Sequence, residues 1–458
     1  MDDIKRSRAV LEDATVHDSK RPPSGAMDTN ASDLVKDANE CISFRLVGHD
    51  EPLVGDENGL GGDVFGPLMS HQIYGDDETI EGYLNPYIKV YLSPLFLPYI
   101  SVGYDKKVLD EGATDLIEPM KEAFGTVEES LDTFAKAMKE EGGVIESPGE
   151  LVLTRSLGGD ETLEIWKSNL STASSFVKKV HSRMEPLLLF FIDAASAIDA
   201  SDPCWEFLLC TIKNAATGAV RIVGMSTIYA FYVYPDRKRF RLSQAFVLPT
   251  EQNKGIGSAI VQAVFDLAQK TGVVDVTLED PTDDFRRLRD RKDLQDMLEL
   301  KWITSEAEEK LNMLGKQRQK EGGTLPLSPD PETIKRLCKT LMMNKKQGER
   351  MWESLLYKIA ADTMSSDKVV AVEGFISKTL EDSFVAGAKD GSENKVVEDT
   401  PTGFIMYKTK AKVQMAPSNM LPVEEVTNEQ QRSMIAEYVA TRVQEIKTLV
   451  GIADNEEH

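Results

Sequence analysis

Glu279 and Asp280 stand side by side where an apolar run, Val273-Val274-Asp275-Val276-Thr277-Leu278, comes to an end. Two adjacent carboxylates repel one another when both are ionised, which favours uptake of a proton, and they attract cations. That chemistry suits a general base working on an amine. Upstream, Gln252-Asn253-Lys254-Gly255-Ile256-Gly257-Ser258 precedes and opens a segment whose apolar residues Ile256, Ile260, Val264 and Leu267 recur at helical spacing. The first four N–H groups of a helix lack internal partners, and the helix dipole places partial positive charge there. Gly255 and Gly257 would let a pyrophosphate approach that bare backbone, although a G-x-G at a helix start also occurs as a plain turn. The dinucleotide fingerprint G-x-G-x-x-G is broken by Ile260, which argues against a nicotinamide site. With the strand-like run Ala245-Phe246-Val247-Leu248 in front, the order from Leu242 to Arg291 is strand, glycine loop, helix, strand, acid.

The Q-x-x-G-x-G form of the loop resembles the acetyl-CoA loop of the GNAT superfamily of N-acetyltransferases. The step Glu279-Asp280-Pro281, followed by Asp283-Asp284-Phe285-Arg286-Arg287-Leu288-Arg289-Asp290-Arg291, resembles the catalytic segment of the type B histone acetyltransferases, which acetylate newly made, free histone H4. A second stretch, His71-Gln72-Ile73-Tyr74-Gly75-Asp76-Asp77-Glu78-Thr79, is similar to the N-terminal domain of that family. There, acidic residues contact the basic histone tail; by composition alone, Asp76-Asp77-Glu78 also reads as a solvated turn. Phe191-Ile192-Asp193-Ala194-Ala195-Ser196 matches a family segment that carries Glu in place of Asp193. Tyr229-Ala230-Phe231-Tyr232-Val233-Tyr234-Pro235-Asp236 resembles the segment beside the histone peptide, with Phe231 where the family has Tyr.

The resemblance implies acetyl-CoA as cosubstrate, no metal, and Glu279 as general base with Asp280 and Asp193 assisting. It puts pantetheine against the backbone of Ala245, Phe246 and Val247, and pyrophosphate on Gln252, Asn253, Lys254, Gly255, Ile256, Gly257 and Ser258. Thr282, Phe285 and Arg291 match further cofactor-binding positions. Asp76, Asp77, Glu78, Trp205, Tyr229, Ala230 and Phe231 match positions on the histone side. The family's partners are newly made H3–H4 and a WD-repeat histone chaperone, and its compartments are nucleus and cytoplasm. No cysteine is placed as a nucleophile, so direct attack in a ternary complex is preferred to an acyl-enzyme. Two rivals stay open: a GNAT enzyme for another amine, and a non-catalytic acidic histone-binding protein.

These residues need elements to hold them. Residues 1–40 are polar and read as a disordered tail. Residues 41–148 read as an N-terminal α/β domain, with strands at Cys41 to Val47, Ile88 to Leu92 and Leu95 to Val102. A helix follows, capped by Thr126-x-x-Glu129, with Val127, Leu131, Phe134 and Met138 on one face. Residues 149–292 form the acetyl-CoA-binding domain. Strands run over Leu151 to Leu157, Thr162 to Trp166, Trp205 to Cys210 and Val223 to Val233, with a helix over Ser175 to Ile198 that carries Asp193. A carboxylate in so apolar a stretch is costly unless it is paired or exposed. Alternation along Val223 to Val233 puts Tyr229 and Phe231 on one face and Ala230 and Tyr232 on the other. Residues 293–458 read as helical, with a loop near 386–402 and a last helix over Glu425 to Val450. The fold class is α/β (α+β): the GNAT fold with a mixed central sheet.

The bulk properties agree. The chain has 458 residues and a formal net charge of −23, which argues against nucleic-acid and anionic-membrane binding and allows a basic partner. Arg286, Arg287, Arg289 and Lys292 read mostly as helix ion pairs with the acids around them, leaving Arg291 for a phosphate. Four cysteines without a C-x-x-C pair and five scattered histidines suggest reduced thiols and no zinc site. The apolar run Pro186 to Ile192 is too short to span a bilayer, and Met1-Asp2-Asp3 begins no signal core, so a soluble intracellular protein is expected.

Overall fold

The computed structural model describes residues 34–48, 64–109, 111–142, 145–146, 148–317, 327–389, 394–400, 403–409 and 428–451. It divides into two compact units, Met1–Pro281 and Thr282–His458. The division falls earlier than the boundary expected after residue 292.

Of the expected tail, residues 1–33 lie outside the described residues, and structure begins before residue 41. β1 (Val35–Asp37) pairs antiparallel with β4 (Thr79–Glu81), and Asp37 caps α1 (Ala38–Cys41) by accepting from the Asn39 N–H at 2.8 Å. Elements this short leave no periodicity to read. A four-stranded sheet follows, in the order β3 (Val64–Phe65), β2 (Ile42–Leu46), β6 (Tyr87–Leu92), β7 (Pro98–Gly103), with β2 and β6 parallel. Alternation buries Ile88, Val90 and Leu92 on one face. Around it lie α2 (His71–Tyr74), the short pair β5 (Tyr83–Leu84) and β8 (Lys106–Lys107), α3 (Glu118–Phe124) and α4 (Leu131–Glu141).

The cap of α4 is not the expected one. Ser130 and Thr133 form the box, with the Thr133 N–H on Ser130 Oγ and the Ser130 N–H on Thr133 Oγ1, both at 3.1 Å. The Glu128 N–H is committed to Pro98 O at 3.0 Å, and a parallel bridge joins Glu128 to Tyr99, so the chain before Ser130 runs along β7 instead of coiling.

The main sheet has six strands in the order β14 (Val276–Leu278), β13 (Arg237–Val247), β12 (Val220–Val233), β11 (Trp205–Asn214), β10 (Glu161–Asn169), β9 (Glu150–Gly158). All pairs are antiparallel except β13 with β14, so the sheet is mixed as expected. A parallel pair needs a crossover, and α6 (Ile256–Thr271) supplies it, packing on β9, β10, β13 and β14. α5 (Ser175–Met184) stops well short of Ile198. Pro186 cannot donate to an α ladder and clashes with the preceding turn, so Glu185–Phe190 tightens to a 3₁₀ helix and the chain beyond is irregular. One apolar cluster runs from Ala38 to Leu248 and includes Phe44, Phe190, Phe207 and Phe246. The expected boundary near residue 148 therefore does not divide the core.

His181 on α5 is 3% exposed and packs edge-on against Phe207 at 5.3 Å; burial pushes its pKa down to about 4. Burial pushes the neighbouring Glu185 carboxyl up, so the 3.9 Å approach of the two side chains is not a strong ion pair. Between about pH 6.5 and 4 the unfolded chain binds a proton at this histidine that the folded chain refuses. Stability is expected to fall as pH drops through that window, on the order of 3 kcal/mol if His181 acts alone. Denaturant midpoints of wild type and His181→Gln across pH 7 to 4 should show a shallower slope in the variant; parallel slopes would remove His181 as the cause.

In the second unit α7 (Asp283–Glu299), α8 (Lys301–Gln317), α9 (Pro331–Leu341), α10 (Lys345–Asp362), α11 (Ser366–Lys389) and α12 (Asn428–Leu449) are the helices. Trp352 is fully buried and donates from Nε1 to Leu327 O at 2.9 Å. Of the loop expected at 386–402, residues 390–393 and 401–402 lie outside the described residues; the remainder is the end of α11 and β15 (Asn394–Thr400), which pairs antiparallel with β16 (Gly403–Thr409). Its polar composition concealed a pairing that only the partner strand completes. No helix among the described residues is long and apolar enough to cross a membrane.

Candidate active site

β13 and β14 touch over only three residue pairs, Phe240–Val276, Arg241–Thr277 and Leu242–Leu278, with the Glu279 N–H still on Leu242 O at 3.0 Å. Beyond that point the strands part. On its other side β13 stays paired with β12, but the register slips: Thr227 faces Gln244 and Ile228 faces Leu242, so Ser243 is the extra residue of a β-bulge. The Leu248 N–H donates to Val223 O, and alternation then directs the backbone of Phe246 toward β12 and that of Ala245 and Val247 toward the gap. Phe246 was expected to share the binding edge. Its backbone belongs to the β12 ladder and its ring to the core, 5.1 Å from Phe191.

Two residues on one face of β13 hold the acid. The Ser243 hydroxyl donates to Glu279 Oε2, and Arg241 Nη1 lies 3.5 Å from Glu279 Oε1. Asp280 takes φ +33°, a left-handed conformation that Asp tolerates better than most residues. From Glu279 a strip of aromatic rings leads back across the sheet. Arg241 Cζ sits 4.5 Å from the centre of the Phe231 ring, Phe231 lies 4.6 Å from Tyr229, and Tyr229 lies 4.8 Å from Trp205. The Tyr229 hydroxyl donates to Asp202 Oδ2 at 3.1 Å, which pushes the phenol up to about 12 and keeps it protonated at neutral pH. Ala230, which resemblance places with these rings on the histone side, is buried on the opposite face, as the alternation along the strand predicts.

The acidic stretch is split. Glu78 turns inward: the Ser70 and His71 N–H groups donate to Oε1 at 2.5 and 2.9 Å, and Asn39 Nδ2 donates to Oε2 at 2.9 Å. These donors, the Ser70 amide first, hold its carboxyl below the usual range. Glu78 is thus a loop anchor, while Asp76 and Asp77 are exposed. Asp193 lies in a turn, not in a helix, and its side chain is 81% exposed with Oδ1 3.3 Å from His71 Nε2. The cost of a buried carboxylate does not arise there. No bond among the described residues links Asp193 to Glu279; the nearest tie is Gln244 Nε2 donating to Ser196 O at 3.0 Å.

The glycine loop is braced from below. Glu251, buried, takes Arg221 Nε at 2.9 Å and Lys254 Nζ at 2.8 Å, and Arg221 Nη1 also reaches Glu161 Oε1 at 2.7 Å. Gln252 Nε2 donates back to Val247 O at 3.1 Å. Asn253 and Gly255 adopt φ of +62° and +79°, which Gly takes freely and Asn better than most. Gly255 gives α6 no side-chain cap, so the first-turn amides remain available to an anion. Ile256 is buried and can offer only its backbone. Arg155 Nη1 donates to Ser258 Oγ at 2.8 Å and Gly255 O at 3.2 Å, placing a cation at the same helix end. This arrangement fits a diphosphate.

Thr282, Phe285 and Arg291 belong to the second unit: Thr282 caps α7 by accepting from the Phe285 N–H at 3.3 Å, and Arg291 is exposed. The other cations of that stretch are engaged: Arg286 with Asp283 at 3.3 Å, Arg287 with Asp284 at 2.5 Å, Arg289 with Asp293 at 3.2 Å and Lys292 with Asp296 at 2.6 Å. Asp290, expected among their partners, pairs instead with Arg350 at 2.9 Å. Sequence reading overlooked Arg241, Ser243 and Arg155, and gave His71 no role within its motif. The alternation of Arg239, Arg241 and Ser243 with apolar residues could have signalled the first two; nothing local marks Arg155.

The chain matches the family model described as the histone acetyl transferase HAT1 N-terminus over residues 34–193. It matches the acetyltransferase (GNAT) family model over residues 184–288. It is 28% identical over 437 residues to a histone acetyltransferase type B catalytic subunit of Arabidopsis thaliana, covering 91% of each chain. Its counterpart in Zea mays is 27% identical over 81% of this chain and 80% of its own. That of Rattus norvegicus is 30% identical over 58% of this chain and 65% of its own.

Proposed function

Because the chain belongs to the family of type B histone acetyltransferase catalytic subunits, within the GNAT acetyltransferases, we propose that it transfers acetyl from acetyl-CoA to a lysine in the N-terminal tail of newly synthesised histone H4. The observation that carries this reading is the strip Trp205–Tyr229–Phe231 ending at the carboxylate of Glu279, beside the gap between β13 and β14. A lysine stem is apolar and its tip is cationic, so rings leading to an acid match it along its length.

A free lysine has a pKa near ~10.4, and on the order of one molecule in a thousand is neutral at pH 7. In this reading Glu279 takes the ammonium proton, and the neutral amine attacks the thioester carbonyl directly in a ternary complex. The new N–C bond replaces the C–S bond, and CoA leaves as the thiol once its sulfur takes up a proton. Acetyl-CoA supplies the acyl group. Ala245 and Val247 offer backbone groups toward pantetheine, one N–H polarising the carbonyl, and the loop from Gln252 to Ser258 with Arg155 holds the diphosphate. Asp76 and Asp77 face solvent and draw the basic tail in, while Glu78 and His71 keep their loop in place. A substrate met before chromatin assembly implies work in cytoplasm and nucleus, with H3–H4 and a WD-repeat chaperone as partners.

The direct experiment is transfer of labelled acetyl from acetyl-CoA to an H4 tail peptide; acetyl-CoA binding with no transfer to histone would remove this substrate. Asp76→Asn combined with Asp77→Asn is expected to raise the peptide KM about 3- to 10-fold at low salt, an effect that salt should erase because exposed charges are screened. The acetyl-CoA KM should not move. An unchanged peptide KM would take these acids out of tail binding.

A further inference from the structure

We propose that Arg241 is a positioning residue for acetyl transfer, fixing the Glu279 carboxylate at the end of the aromatic strip. The inference rests on Glu279 being the base. Glu279 lies where β14 has already ended, 41% of its side chain is exposed, and nothing in its own segment fixes it. Two residues of β13 do. Ser243 donates to Oε2, and Arg241 Nη1 stands 3.5 Å from Oε1. Both residues reach the same carboxylate because they stand two apart on β13, and alternation puts them on one face.

Arg241 is itself held. It sits opposite Tyr229 in the β12–β13 register, and its guanidinium carbon lies 4.5 Å from the centre of the Phe231 ring. A guanidinium stacks on an aromatic face while its edge stays free for a carboxylate, so one side chain fixes the distance between the ring that would carry the lysine stem and the acid that would receive its proton. The neighbouring Arg239 shows the contrast: its fork is closed on buried Asp275 at 2.5 and 2.9 Å and only ties β13 to the chain before β14. An exposed ion pair adds little to stability, and a fixed cation beside a base that must meet an ammonium carries an electrostatic cost. Placement of the base is the gain that offsets it. At 3.5 Å the contact is loose enough to leave Oε1 open to the incoming ammonium. Arg241 stays charged throughout and exchanges no proton.

The test is steady-state kinetics of the full-length protein with acetyl-CoA and a histone tail peptide, for Arg241→Gln, Arg241→Lys, Glu279→Gln and the double variant Arg241→Gln/Glu279→Gln. Arg241→Gln is expected to lower kcat about 10- to 100-fold, the cost of a misplaced catalytic group, with the acetyl-CoA KM unchanged. Arg241→Lys should recover only part of the loss, because an ammonium lacks the planar fork. On top of Glu279→Gln, Arg241→Gln should change kcat less than twofold, since the group it positions has lost its role. A kcat for Arg241→Gln within twofold of wild type, or an undiminished loss in the double variant, overturns the proposal while Glu279 stays the base. Full activity of Glu279→Gln alone defeats the base assignment, and this inference with it. An unchanged acetyl-CoA KM also shows that the variants are folded.

Discussion

Glu279→Gln is expected to lower kcat for histone-peptide acetylation by about 10²- to 10⁴-fold, the span of a lost general base. Gln has nearly the same shape and keeps an acceptor for the Ser243 hydroxyl, so the end of β14 should not move. What disappears is the negative charge facing Arg241 and the capacity to accept a proton. The diphosphate loop is built from other residues, Glu251, Arg221 and Gly255 among them, so acetyl-CoA affinity measured by calorimetry should match wild type. A loss in kcat with unchanged cosubstrate binding is the signature of an interaction made in the reaction and not in the ground state. If kcat falls less than threefold, Glu279 is not the base. Asp280 and Asp193, both exposed and the latter paired with His71, would then be the candidates.

Gly224→Ala is expected to be nearly as damaging, by a route the sequence does not advertise. A Cβ on Gly224 would lie 2.4 Å from Phe246 O and 3.2 Å from Val247 Cα. Both contacts are backbone, so no side-chain rotation relieves them, and β12 must move off β13 at the place where β13 presents Ala245 and Val247 to the gap. Overpacking of this kind costs about 1–3 kcal/mol. In a unit of this size that corresponds to a fall in Tm of roughly 2–4 °C per kcal/mol. Displacement of the edge should also weaken acetyl-CoA binding by about tenfold or more, since misplacement of about 1 Å is enough to cost that much. Gly374→Ala is the matched control: it lies on α11, where a Cβ meets nothing within 4 Å, and it should leave binding unchanged and stability equal or higher. Normal Tm and normal acetyl-CoA affinity in Gly224→Ala would show that the two strands can part there without consequence.

Sequence alone determined the order of the site. The run from strand to glycine loop to helix to strand to Glu279 is local. Each step depends on residues a few positions apart, through helical spacing at Ile256, Ile260 and Val264 and through alternation at Tyr229 and Phe231, and these the structure reproduces. The family motifs carried the chemistry for the same reason, being contiguous. Tertiary structure decided which way each side chain faces and what it meets. Phe246 sits in the expected strand yet turns its ring to the core and its backbone to β12, because alternation gives each side only every second residue. Glu78 is adjacent to Asp77 but folds inward onto Ser70, His71 and Asn39, partners that no pattern in the acidic triplet announces. Asp193 meets His71, and Arg155 meets Ser258, across long separations in the chain. Arg241 and Ser243 meet Glu279 only because β13 lies beside β14, and the bulge at Ser243 leaves no trace in composition or period because it is fixed by the register of the partner strand. Local spacing can be read from one strand of text; register, and therefore the neighbours of a catalytic carboxylate, exists only once two strands have paired.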